Sequence, residues 1–183
     1  AEGARERWPE RRIAFVGATR GIEARKLPEG PWPFLLVEVE GLVGRSPLAG
    51  LRSLLKLWRA VRLLKGRFRR QRPWAVVGTG GYGAAPALLA ARSLGIPYFL
   101  HESNAAPGLL VRRLAAGAQR VWCGMDGLQN RLPGARCLTV GTPIRSVFLR
   151  EFRKVKDLPS PRQLLVLGGS GAIRTVTVIP VSD

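Results

Sequence analysis

The sequence predicts an α/β protein built on a Rossmann-like parallel sheet, and three observations carry that expectation. Short β-branched and aromatic runs recur along the chain, segments of helical periodicity lie between several of them, and four of the runs end in glycine-bearing or polar loops. Alternation of this kind is the signature of βαβ units, in which crossover helices cover a parallel sheet.

The strand candidates, in order, are "IAFVG" (13–17), "FLLVEV" (34–39), "WAVVG" (74–78), "YFLHE" (98–102), "RVWCG", "CLTVG" and "LLVLGG" (164–169). Helical segments are expected over 86–94, starting at Pro86, and over 109–116. The longest helix candidate is "SPLAGLRSLLKLWRAVRLLKGRFRRQRP". On a 3.6-residue wheel Leu51, Leu54, Leu55, Leu57, Trp58, Val61, Leu64 and Phe68 fill about half its circumference. Arg52, Lys56, Arg59 and Arg67 gather on the other side. One reading is an ordinary crossover helix that packs on the sheet and leaves its charged face solvated. The other has part of the stripe, Leu54 and Trp58 especially, touching lipid while Arg52, Lys56 and Arg59 meet anionic head groups; both can hold for different sectors of one helix.

Length and composition bound the rest. A chain of 183 residues can bury one sizeable core, or one domain plus the beginning of another, and 46% hydrophobic against 23% charged residues fits a globular protein. The charge is the outlier: 30 Lys and Arg against 12 Asp and Glu give +18, which calls for an anionic partner. Nucleic acid, a membrane surface and a phosphorylated substrate all satisfy that demand. Cys123 and Cys137 lie in apolar runs that read as neighbouring strands, and without a CxxC or a second histidine they are expected as free, buried thiols. No apolar run is long enough to span a bilayer and the first residues carry no signal-peptide core, so a reducing cytoplasm is the default expectation. A Rossmann-like domain is expected over 1–150, a basic linker over 151–162, and the first strand and loop of a second α/β unit over 163–183.

In open α/β sheets ligands collect beyond the carboxyl ends of the strands, so the loops there are the candidate site. After "WAVVG", Gly80 and Gly81 precede Tyr82 in "TGGYGAAP", a turn able to offer N–H groups to an anion at a helix start; such turns also serve simply to let helix and strand approach. After "YFLHE" come His101, Glu102 and Asn104. An asparagine can donate and accept at once, as sugar hydroxyls require, whereas a lone histidine reads first as a structural hydrogen-bond partner. After "CLTVG", "TPIR" starts a helix and sets Arg145 on the rim, where a guanidinium suits a diphosphate. After "LLVLGG", Ser170 follows two glycines in a second phosphate-cradle candidate.

Taken together, "FVGATRGIEARKLP", "VEGLVGR", the long basic helix, "GTGGYGAAPALLAARSLGIPYFLHESNAAPG", "AQRVW", "VGTPIR" and "LLVLGGSGA" resemble the MurG family of peptidoglycan glycosyltransferases, in order and spacing, from about residue 12 to residue 172. The resemblance implies a two-domain GT-B enzyme that transfers N-acetylglucosamine from UDP-N-acetylglucosamine to undecaprenyl-diphosphate-linked muramyl-pentapeptide. It places that enzyme on the cytoplasmic face of the bacterial membrane. By position it implies donor contacts at Asn104, Arg145 and Ser170. Gly80, Gly81 and Tyr82 fall in the acceptor-side loop near the lipid diphosphate; His101 and Glu102, from their place at the strand end, are grouped with that side, and Arg52, Leu54, Lys56, Trp58 and Arg59, from the helical wheel, with the membrane. It implies no metal and no cofactor, because an inverting displacement at the anomeric carbon can have its leaving UDP stabilised by N–H groups and side-chain donors.

There are departures from the family pattern. The family opens with a strand and a glycine loop ending in a histidine, the candidate general base, and nothing before "IAFVG" supplies them; His101 is a different residue. Ser103 and Thr142 stand where Gln and Asn are common, and "VTVIPVSD" no longer matches. The expectation is that this polypeptide alone does not turn over. Two other readings remain: a related GT-B transferase with a different lipid acceptor, and a basic nucleic-acid-binding module. The latter lacks RNP aromatics, zinc spacing and a helix-turn-helix cue, so no nucleic-acid partner is expected.

Overall fold

The computed structural model describes residues 2–41, 46–144, 163–165 and 178–180. It divides into two compact units, Ala1–Thr142 and Pro143–Asp183.

The first unit runs α1 (Glu2–Arg7), β1 (Phe15–Ala18), α2 (Ile22–Lys26), β2 (Phe34–Val37), α3 (Pro47–Arg70), β3 (Val76–Gly78), α4 (Gly81–Ser93), β4 (Tyr98–Glu102), α5 (Leu109–Leu114), β5 (Arg120–Cys123) and β6 (Cys137–Thr139). Short 3-10 turns cover Ala115–Gly117 and Leu128–Arg131. Strands β1 and β2 pair in parallel, and β3, β4, β5 and β6 form a second parallel sheet in that order. Every strand expected here from the apolar runs is present; β4 fills its run completely, and the others are shorter than theirs.

Helix α4 joins the two sheets. It packs on both β1 and β3, and its small residues Ala87 and Ala90 form a cluster with Leu64 of α3, flanked by Val16 of β1 and Val76 of β3. An alanine-rich face allows that close approach, since no bulky side chain holds the helices apart. The larger cluster lies between α4, α5 and the four-stranded sheet, around Leu88, Ile96, Leu100, Val111, Leu114 and Val121. Fully burying such aliphatic side chains contributes roughly 1.5–3 kcal/mol each.

Helix α4 begins five residues before the expected start at Pro86. Gly80 caps it with φ of 83° and Gly81 also has positive φ, so the helix grows directly out of the glycine turn with Pro86 buried inside it. The proline lacks an N–H, so the carbonyl four residues earlier, that of Tyr82, has no helical donor.

Helix α3 divides the apolar stripe that the wheel drew as one. Leu57, Val61, Leu64 and Phe68 pack inward on the sheet and on α4, whereas Leu48, Leu51, Leu54, Leu55 and Trp58 are exposed.

In the second unit, β7 (Gln163–Leu165) pairs antiparallel with β8 (Val178–Pro180). Residues 166–169, the rest of the expected "LLVLGG" strand, lie outside the described residues.

Candidate functional site at the carboxyl ends of the strands

The parallel register aligns the carboxyl ends of β3, β4, β5 and β6. Gly78 pairs with Leu100, Glu102 with Cys123, and Cys123 with Thr139. The loops that follow these strands therefore share one rim.

On β3 the rim begins with Gly80 and Gly81. Open space surrounds the position of a Cβ at both, so it is the left-handed backbone that demands glycine there. Tyr82 is half exposed, and its hydroxyl donates to the carbonyl of Arg20 at 2.9 Å, tying the first turn of α4 to the loop after β1. Arg20 itself is 78% exposed, its guanidinium 3.7 Å from Glu40.

At the end of β4 the two ionisable residues are buried. Glu102 Oε1 accepts from the backbone N–H of Asn104 at 3.0 Å and from its Nδ2 at 2.8 Å, and Oε2 accepts from the N–H of Gly108 at 3.0 Å. The last of these satisfies a donor at the N-cap of α5. His101 donates through Nε2 to the Gly141 carbonyl at 3.1 Å, which leaves Nδ1 to face the Ser103 hydroxyl at 3.5 Å. His101 and Glu102 thus build the loop from within, and Asn104 is its exposed amide. Gly124 closes the arrangement: a Cβ there would stand 2.7 Å from Thr142 Oγ1 and 2.9 Å from Ser103 Cα, so only glycine lets the three strand ends meet.

The structure brings Gly80, Gly81, Tyr82, His101, Glu102 and Asn104 to this rim. Arg145 and Ser170 lie outside the described residues. Sequence reasoning passed over Arg20, Gly124 and Gly141; glycines directly after strands were the available signal for the last two.

On α3, Arg52, Leu54, Trp58 and Arg59 are exposed, with the Arg62 guanidinium 5.3 Å from the Trp58 ring centroid. Lys56 differs from its neighbours. It turns toward the end of β2, where Nζ lies 2.7 Å from both Glu38 and Glu40. Hydrogen bonding to Glu38 raises the Lys56 pKa, and the reciprocal bond from Lys56 lowers that of Glu38. Among the described residues no helix is long and apolar enough to cross a membrane.

Parallel strands covered by α4 and α5, with glycine turns and buried polar anchors along one rim, define a Rossmann-like domain of the GT-B glycosyltransferase class. The Glycosyltransferase family 28 N-terminal domain matches residues 6–123, and the chain belongs to that family. Two relatives carry the name UDP-N-acetylglucosamine--N-acetylmuramyl-(pentapeptide) pyrophosphoryl-undecaprenol N-acetylglucosamine transferase. That of Pelobacter propionicus is 34% identical, over 100% of this chain and 54% of its own length. That of a Synechococcus species is 40% identical, over 86% of this chain and 44% of its own length. The crystal structure of MurG from Acinetobacter baumannii matches with a TM-score of 0.63 and 25% identity, covering 76% of this chain and 39% of that one. The resemblance read from the sequence is borne out, and the chain spans about half the length of the curated relatives it matches.

Proposed function

We propose that this chain is the acceptor-side half of a transferase that moves N-acetylglucosamine from UDP-N-acetylglucosamine to undecaprenyl-diphosphate-linked muramyl-pentapeptide in peptidoglycan synthesis. The observation that carries the reading is identity of 34% along the whole chain to a relative bearing that activity in its name. In this reading the glycine turn at Gly80–Tyr82 holds the lipid diphosphate, its N–H groups and the α4 dipole opposing the negative charge. His101 and Glu102 hold the neighbouring loop in shape and leave the amide of Asn104 exposed for the nucleotide sugar; Arg145 and Ser170 are donor contacts by the family resemblance alone. The exposed sector of α3 rests on the anionic cytoplasmic face of the membrane, apolar residues in the interface and arginines among head groups.

Titration of the chain with farnesyl diphosphate, a soluble isoprenoid diphosphate, tests the acceptor side. Saturable binding that weakens at least tenfold in Gly81→Val supports the reading. No binding by the wild type, or equal binding by the variant, refutes it. Turnover of radiolabelled UDP-N-acetylglucosamine by the chain alone would contradict the expectation that it is one half of the catalytic unit.

A further inference from the structure

We propose that Lys56 is a positioning residue for the glycine-turn rim, acting through Glu40, Arg20 and Tyr82, and that its charge offsets two carboxylates standing beside that rim. Its bearing on ligand affinity rests on the acceptor-side reading above.

One cation of α3 is set apart from the others. The exposed face of α3 carries Arg52, Arg59 and Arg62, all open to solvent. Lys56 is 26% exposed and contacts two carboxylates at 2.7 Å each. Glu40 is the less exposed of the two, at 15%, and it also receives the Arg20 guanidinium at 3.7 Å. A shielded carboxylate with cations on two sides is held more firmly than a surface pair.

From Glu40 the connection runs to the rim. Arg20 accepts the Tyr82 hydroxyl through its carbonyl, and the Tyr82 ring lies against Gly41, where a Cβ would stand 3.9 Å from Cδ1. Tyr82 follows Gly81 directly. The loop after β1, the loop after β2 and the first turn of α4 are therefore fastened to one another by Tyr82 and to α3 by Lys56.

Neutralisation accompanies the fastening. Glu40 pairs with Arg20 and directly precedes Gly41, which Tyr82 approaches, so its charge, with that of Glu38 two residues earlier, opposes a diphosphate at the glycine turn. Lys56 sits between them and cancels part of that field. Loss of the ammonium would free the loops and expose the repulsion together.

The test compares Lys56→Met, Lys56→Arg and Arg67→Met, the last an exposed cation in the final turn of α3. Two readouts are taken on the full chain: farnesyl diphosphate affinity by calorimetry, and backbone amide exchange at Arg20 and over 80–84. Lys56→Met is expected to bind about tenfold more weakly and to exchange faster at both places, with Lys56→Arg and Arg67→Met close to wild type. Wild-type affinity in Lys56→Met, when the wild type binds, overturns the role in binding. Unchanged exchange in Lys56→Met overturns the positioning role whether or not the probe binds. A wild type that ignores farnesyl diphosphate sinks the acceptor-side reading instead, and the exchange result then decides Lys56 alone.

Discussion

Asn104 gives both its backbone N–H and its side-chain amide to a single oxygen of Glu102, at 3.0 and 2.8 Å, while the other oxygen of Glu102 takes the N–H of Gly108. A buried carboxylate that accepts three N–H groups fixes the six residues that follow it, and with them the exposed face of Asn104.

Glu102→Gln replaces an acceptor with a donor in that nest, so one N–H must face another. Leaving a buried polar group unsatisfied costs about 1–3 kcal/mol. The urea midpoint should fall accordingly, with exchange of the Asn104 and Gly108 amides accelerating before the rest of the domain. A midpoint within error of wild type would show that the loop does not depend on the carboxylate.

Gly80→Ala and Gly81→Ala test the glycine turn. A Cβ at either position meets no neighbour, so the whole penalty comes from holding an L-residue at φ near +80° and should be roughly 1–3 kcal/mol at each site. Gly83→Ala behaves differently, because its backbone is ordinary and its Cβ would crowd Glu23 Oε1 at 3.3 Å. Equal losses at all three positions, measured by chemical denaturation, would contradict this separation of backbone from space.

The strands were legible because β-branched runs bounded by glycine and proline have few other uses, and the helices between them because their apolar residues repeat at 3.6. Their ends were less so. Pro86 suggested a helix start, yet two positive-φ glycines begin the helix earlier, a backbone event with no hydrophobic signature. The wheel sets Lys56 beside Arg52 and Arg59 as a cation for anionic head groups because it knows nothing of Glu38 and Glu40, which arrive from another element. A lone histidine reads first as a structural hydrogen-bond partner, and His101 makes such a bond; that its partner is Gly141, and that Glu102 turns inward to Gly108, no pattern local to the strand end shows.

The exposed sector of α3 should govern attachment to anionic vesicles. Trp58→Glu and Leu51→Glu leave the core untouched and place a charge where lipid contact is proposed. Each arginine near such a surface contributes ~1 kcal/mol, so Arg52→Glu/Arg59→Glu should weaken sedimentation with phosphatidylglycerol vesicles by one to two orders of magnitude. Added salt should weaken it further. Tighter binding to duplex DNA than to vesicles at matched salt would favour the nucleic-acid reading.

Cys123 provides a test of the core that is independent of any ligand. The thiol is buried on β5, and its neighbour Cys137 lies on the adjacent strand β6; both are free. Burial first, and then the nearby Cys137, push the Cys123 thiol up to about 11 from an ordinary 9.0. A raised thiol pKa means that the unfolded chain loses this proton at lower pH than the folded one. The contribution to stability is complete below pH 9 and is lost as the pH rises toward 11. Native-state alkylation of Cys123 by iodoacetamide should therefore be negligible at pH 8, whereas denatured chain is modified at both cysteines. Cys123→Ala should lower the denaturation midpoint at pH 8 and flatten its fall between pH 9 and 11. Rapid alkylation of Cys123 in the folded protein at pH 8 would mean that β5 and β6 do not enclose it.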